Sequence, residues 1–183
     1  MKSITQEGFS WQSCYNWLPV SLFLISLDQL CKNWILSSLP YRSYSELVPG
    51  VLITQVFNEG VAFSLFADGH YRTWLTILLL TVMMNAGLFL AVGYTKVCGR
   101  LYGLSVCLLL AGGVSNMIDR ICYGAVVDYI TLFFQGYYWP TIFNLADVYV
   151  SFGTLILFYW STQSSLFRAE QPSTDEDVVS TSC

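Results

Sequence analysis

Asp128 and Asp147 are carboxylates set in apolar sequence, in "GAVVDYI" and "FNLADVYVS". Val126, Val127, Tyr129 and Ile130 flank Asp128, and no charge stands close to it in sequence. Desolvation of that kind raises a carboxyl pKa. Asp147 has similar surroundings: from Tyr129 to Phe167 it is the only charged residue. Two carboxyls held ~3 Å apart cannot both ionise, so they share a proton. The ionised one can then take a proton from water while the neutral one polarises a carbonyl. That is the chemistry of an aspartic protease. The residues alone leave a second reading open, in which Asp128 caps a surface turn and Asp147 hydrogen-bonds a neighbouring helix.

Other polar residues fall where lipid is expected. An ionisable group at membrane depth costs ~2.5–3.5 kcal/mol on insertion scales, so it faces a protein interior or does chemistry. Asp28 and Lys32 are four apart with the acid first, the favourable order for a helical pair. This spacing predicts an internal ion pair near the outer end of the first helix, in preference to a direct catalytic role for Asp28. Gly112, Asn116, Asp119 and Arg120 fall on one helix face at spacings of three and four. Ala111, Gly112 and Gly113 allow another helix to approach closely, and Asn116 can hydrogen-bond across that interface. Asp119 stands at the C-terminal end of this helix, where the macrodipole disfavours an anion. It needs a cation, the adjacent one is Arg120, and a structural ion pair is expected. Asn144, Asp147 and Ser151 share a face of the last helix. A helix start at Thr141 puts Asp147 about six residues, or roughly 9 Å, into it, within reach of water from the outer face.

The elements that must position these groups are membrane helices. The chain has 183 residues, 55% hydrophobic and 11% charged, with a mean hydropathy of +0.54. Soluble domains carry about 25% charged residues, so the class is an integral membrane protein, mainly α. Four segments reach the ~20 residues a span needs, at about 17–36, 73–95, 101–118 and 141–160. The first contains Asp28 and Lys32 and has no A-x-A site after it, so it reads as a retained helix rather than a signal peptide. Residues 1–168 form one polytopic domain in this reading. The termini and the short loop between spans two and three hold Lys2, Lys96, Arg100 and Arg168; the two long connections hold Arg42, Arg72 and Arg120. That bias favours cytoplasmic termini.

The first long connection carries an extracytoplasmic β-element at about 48–70. Val51–Phe57 is one strand, Asn58-Glu59-Gly60 a turn, and Val61–Phe66 a second strand. The second connection holds Phe133, Phe134, Tyr137, Tyr138 and Trp139, rings that favour the headgroup layer. The net charge of −4 belongs to the segment 169–183, whose Glu170, Asp175, Glu176 and Asp177 make an acidic cytoplasmic tail expected to be disordered. Without it the charge is balanced, and nucleic acid is not an expected partner. Six scattered cysteines and the single His70 give no zinc pattern, and neither a metal nor a structural disulfide is expected.

In chain order the motifs are "DQLCK" (Asp28–Lys32), "FNEGVAFS" (Phe57–Ser64), "GGVSNMIDR" (Gly112–Arg120), "GAVVDYI" (Gly124–Ile130) and "FNLADVYV" (Phe143–Val150). The series resembles the lipoprotein signal peptidases, the bacterial signal peptidase II family. The resemblance implies four transmembrane helices, a small extracytoplasmic β-cradle and cytoplasmic termini in the bacterial inner membrane, with the active site near the outer, periplasmic face. It implies an aspartic endopeptidase that removes signal peptides from diacylglyceryl-modified prolipoproteins, cutting just before the lipidated cysteine. No cofactor is implied; membrane lipid is a partner and a monomer is expected. Carried over by position, Asp128 and Asp147 are catalytic. Asp28, Lys32, Asn58, Gly112, Asn116, Arg120 and Asn144 bind substrate or order the site, and Asp119 is structural. Ser115 departs from the glycine usual before the motif asparagine, and Gly113 and Val114 also vary. The rival reading from another class is a small four-helix transporter or channel with acids along a polar path.

Overall fold

The computed structural model describes residues 11–60, 71–93 and 99–169. In chain order the elements are α1 (Trp11–Ser38), β1 (Tyr44–Val48), β2 (Val51–Asn58), α2 (Tyr71–Val92), α3 (Arg100–Tyr123), β3 (Val126–Phe134), β4 (Tyr137–Tyr138) and α4 (Leu145–Ala169). The fold is mainly helical with a small antiparallel sheet in the order β1-β2-β3-β4. Two helical stretches, Thr73–Val92 and Arg100–Tyr123, are long and apolar enough to cross a membrane.

The helices are inside out relative to a soluble bundle. Large apolar side chains point away from the protein: Phe23 and Leu30 on α1, Leu80 and Met83 on α2, Leu155 and Phe158 on α4. Asp28, Lys32, Asn85, Ser115 and Asp119 are buried. Helix α3 packs against the other three helices. Its small residues allow this. A Cβ on Gly112 would overlap the Ala146 carbonyl oxygen and come 2.7 Å from Val150 Cγ2, so α3 and α4 touch backbone to backbone there. One apolar cluster of Val92, Val106 and Leu110 lies among the helices. A second, Ile35, Ile53 and Tyr129, joins α1 to the sheet.

Gly124 ends α3 in the left-handed conformation (φ 75°), its N–H bonded to the Arg120 carbonyl, and turns the chain into β3. β3 pairs with β2 so that Asp128 stands opposite Val56 and Val127 opposite Phe57. All of Val126–Tyr129 is buried, which explains a continuous apolar run in place of alternation. The expected strand Val51–Phe57 is β2, but its partners differ from the expected ones. They are β1, which precedes it around Pro49-Gly50, and β3 from the far end of the chain. The expected strand Val61–Phe66 lies outside the described residues. The aromatic connection is a hairpin: Phe133 faces Tyr138 and Phe134 faces Tyr137. The two residues between them, Gln135 (φ 49°) and Gly136 (φ 89°), both take the positive φ that a tight hairpin turn needs.

Candidate active site

Helix α4 begins later than its apolar run suggests, and the reason is its cap. Asn144 Oδ1 accepts the Asp147 backbone N–H at 2.9 Å, and Asp147 Oδ2 accepts the Asn144 N–H at 3.2 Å. This is a reciprocal capping box built from Asn and Asp. It corrects the sequence expectation of a start at Thr141: Asp147 sits in the first turn, not six residues in. There the positive end of the helix dipole faces its carboxylate. Phe143, just before the cap, is pinned to β3. Tyr129 and Ile130 N–H donate to its carbonyl at 3.1 and 2.7 Å, and its own N–H donates to Ile130 at 2.9 Å. Strand β3 and the start of α4 are thereby fixed to each other beside Asp128.

Asp128 is 3% exposed. Its Oδ1 accepts Asn144 Nδ2 at 2.7 Å and its Oδ2 accepts Asn58 Nδ2 at 3.0 Å. Asn58 is itself held by the Gly60 N–H at 3.0 Å. Burial, then the Asp147 carboxylate, push the Asp128 carboxyl up to about 7, against the opposing pull of Asn58, Asn144 and the Lys32 charge. The other oxygen of Asp147, Oδ1, accepts Asn116 Nδ2 at 2.9 Å. Asn144 therefore holds both acids, Asp128 through its side chain and Asp147 through its backbone.

Behind the acids lies a buried ionic cluster. Lys32 Nζ reaches Asp28 and Asp119, each at 2.7 Å, and donates to Asn116 Oδ1 at 3.0 Å. All three ammonium donors are used. The Asp28–Lys32 pair matches the expectation from spacing. The partner of Asp119 does not: it is Lys32 from α1, not Arg120. Successive helical residues point in different directions, so Arg120 cannot face its neighbour's carboxylate. Asp119 also accepts Gln29 Nε2 at 2.9 Å and the Val127 N–H at 3.1 Å, which ties α3 to the start of β3. Arg120 turns instead to the Gly60 carbonyl at 3.1 Å and the Asn116 carbonyl at 3.4 Å.

A cavity of about 290 Å³ opens over the acids. Asn58, Asn116, Arg120, Asp128, Asp147 and Ser151 line its polar side, and Val126, Ile142, Phe143 and Val150 its apolar side. Of the residues singled out from sequence, Asn58, Asn116, Arg120, Asp128 and Asp147 line it. Asn144 bridges the acids, Gly112 sets the α3–α4 distance, and Asp28, Lys32 and Asp119 form the buried support. Three participants were not foreseen as such. Gln29 bonds Ser115 and Asp119, Ser115 Oγ donates to Asp28 Oδ2 at 2.6 Å, and the Tyr129 hydroxyl reaches Asp28 at 3.3 Å. Gln29 and Tyr129 each follow an expected aspartate directly in sequence, which was the available signal. Among the described residues, no group of three or more His, Cys, Asp or Glu side chains is placed to hold a metal ion.

Two acids, one bent toward the neutral form near pH 7, beside a half-apolar cavity with Arg120 in its wall, can carry out acid–base chemistry on a water molecule. The wider likenesses agree with a peptidase. The backbone resembles two solved bacterial membrane enzymes. One has a TM-score of 0.72 at 22% identity, covering 91% of this chain and 98% of that one; the other has 0.65 at 24%, covering 84% and 96%. A lipoprotein signal peptidase of Burkholderia thailandensis is 35% identical over 147 residues, covering 78% of this chain and 85% of the relative. That of Blochmanniella pennsylvanica is 32% identical over 143 residues, covering 77% and 85%. Residues 20–163 match the family described as signal peptidase (SPase) II, a stretch that holds every acid and amide of the cavity wall, and the chain belongs to that family.

Proposed function

We propose that the chain is an aspartic endopeptidase that removes signal peptides from diacylglyceryl-modified prolipoproteins, with Asp128 and Asp147 as its catalytic pair. One observation carries this reading: Asn144 is bonded to both carboxyl groups at the floor of one cavity. Asp147, in its carboxylate form, takes a proton from water. The water oxygen attacks the scissile carbonyl carbon as protonated Asp128 donates to the carbonyl oxygen. Asp147 then passes its proton to the amide nitrogen, the C–N bond breaks, and Asp128 recovers its proton from the collapsing diol. Arg120 and Asn58 border the position of the developing oxyanion. Val126, Ile142, Phe143 and Val150 offer the apolar wall on which a lipidated substrate can rest.

In this reading α1 and α4 also cross the inner membrane, making four spans. At 28 and 25 residues they are about 42 and 38 Å long, enough for a hydrocarbon core of ~30 Å. Asp28 and Lys32 of α1 are paired inside the protein, and the large side chains it turns outward, Leu22, Phe23, Leu27 and Leu30, are apolar. The termini lie in the cytoplasm, and the sheet and cavity lie at the outer face.

The test is peptide release from a diacylglyceryl-modified lipobox substrate by purified protein. Asp128→Asn and Asp147→Asn are each expected to lose at least about 10³-fold in kcat while remaining folded. Asp119→Asn is expected to lose activity only in step with stability. Wild-type rates in both dyad variants would remove these residues from the chemistry.

A further inference from the structure

We propose that Tyr129 is a positioning residue for the reaction, its hydroxyl fixing the helix that carries Asp147 to the strand that carries Asp128. The inference rests on the reading of those two acids as the catalytic pair. Tyr129 follows Asp128 on β3, and successive side chains of a strand point to opposite faces. Asp128 turns to the cavity. The Tyr129 ring turns the other way and packs with Ile35, Ile53 and Leu145. Its oxygen accepts the Leu145 backbone N–H at 3.3 Å and donates to Asp28 Oδ1 at 3.3 Å.

Leu145 is the first residue of α4, and the first four N–H groups of a helix have no partner inside it. Here each has one. Counted from the cap, Asn144 donates to Asp147 Oδ2 at 3.2 Å, Leu145 to Tyr129, Ala146 to Asp28 Oδ1 at 3.2 Å and Asp147 to Asn144 Oδ1 at 2.9 Å, and the helix's own ladder begins with the Val148 N–H on the Asn144 carbonyl at 3.3 Å. The helix end is thus held from both sides of β3, by Asn144 next to Asp128 and by the Tyr129–Asp28 pair behind it. Asp28 is in turn fixed by Lys32 and by Ser115. Burial, and then the Asp28 charge, hold the phenol well above its ordinary value, so it stays a neutral hydroxyl able to donate and accept at once. Phenylalanine would keep the ring's packing, leave the Leu145 N–H unpaired and take one donor from Asp28. Tyr149 provides a contrast on the same helix: its hydroxyl is buried with no hydrogen-bond partner among the described residues.

The experiment compares Tyr129→Phe, Leu145→Pro and Tyr149→Phe with wild type, alongside Asp128→Asn and Asp147→Asn. Proline is tolerated at a first helical position and deletes the N–H, so Leu145→Pro breaks the same contact from the other side. The readouts are kcat and KM on a diacylglyceryl-modified lipobox peptide, melting temperature, and hydrogen–deuterium exchange of the peptide spanning residues 144–148. Tyr129→Phe and Leu145→Pro are expected to lower kcat about 5- to 20-fold with KM within about twofold. Tyr129→Phe is also expected to speed exchange at the start of α4. Tyr149→Phe is expected to match wild type. Wild-type kcat and exchange in Tyr129→Phe would overturn the proposal, as would a loss that appears only in KM or melting temperature. If Tyr129→Phe does not fold, Leu145→Pro decides on the same criteria. Full activity in both Asp→Asn variants would instead sink the dyad reading, while the exchange data would still judge the Tyr129 contact.

Discussion

Asn144 Nδ2 lies 2.7 Å from Asp128 Oδ1, while the same residue's backbone N–H lies 3.2 Å from Asp147 Oδ2. One amide residue therefore carries two separable duties. Asn144→Ser keeps a capping oxygen but is too short to reach Asp128. Because the Asn144 Nδ2 also donates to Asn116 Oδ1 at 3.2 Å and the Val127 carbonyl at 3.3 Å, Asn144→Ser is expected to be less stable than wild type, by about 1–3 kcal/mol, and to lose kcat by about 10- to 100-fold. Asn144→Ala loses the cap as well and is expected to cost roughly a further 1 kcal/mol of stability. Thermal melts and peptide-release kinetics on the two variants separate the duties.

Lys32 is the only cation within bonding distance of Asp28 and Asp119 among the described residues, and all three are buried. Lys32→Met would strand two carboxylates in a dry interior, an expected loss of about 3–5 kcal/mol. Asp119→Asn leaves the Asp28–Lys32 pair intact and should cost less. Melting in detergent ranks the two, and an equal or reversed order would count against Lys32 as the shared neutraliser.

The α3–α4 contact depends on two glycines at different distances from the acids. Gly112→Ala would press on Ala146, the neighbour of Asp147, and on Val150. Gly153→Ala would meet Leu109 Cγ at 2.9 Å and the Ser105 carbonyl at 3.0 Å, further along the helix. Each is expected to cost about 1–3 kcal/mol by overpacking. Only Gly112→Ala should also lower kcat strongly, which activity per folded molecule will show.

The Asp128 carboxyl, held up at about 7 by burial and by Asp147, gives both activity and stability a pH signature. The proposed acid is lost as pH rises through about 7, so kcat should fall on the alkaline side. For stability, the folded value lies above the unfolded one of ~3.9. The contribution is therefore full below the unfolded value and lost as pH climbs toward 7. Melting temperature should decline over that window in wild type, and less steeply in Asp128→Asn.

Much of this site was legible because burial of charge is conspicuous in apolar sequence. Asp128 and Asp147 stood out by their surroundings, and the Asp28–Lys32 pair by its spacing. What the sequence hid was decided by partners distant along the chain. Residues Thr141–Phe143 are as apolar as the helix after them, and only Asn144 with Asp147 shows where the helix starts. Asp119 looked to its neighbour Arg120, yet the cation that meets it comes from α1. Strand β3 was read only as part of the second long connection, because both of its faces are covered at Asp128, which removes the alternation that marks a strand.

The closed cap of α4 has a consequence for how the chain becomes active. Its donors are taken by groups from α1 and β3, and α4 is the final described element. Neither acid is correctly placed until the first helix, the sheet and this last helix have met. On the proposed reading, a chain in which these three elements have not yet met carries both carboxylates without the bonds that place them, so hydrolysis waits on assembly.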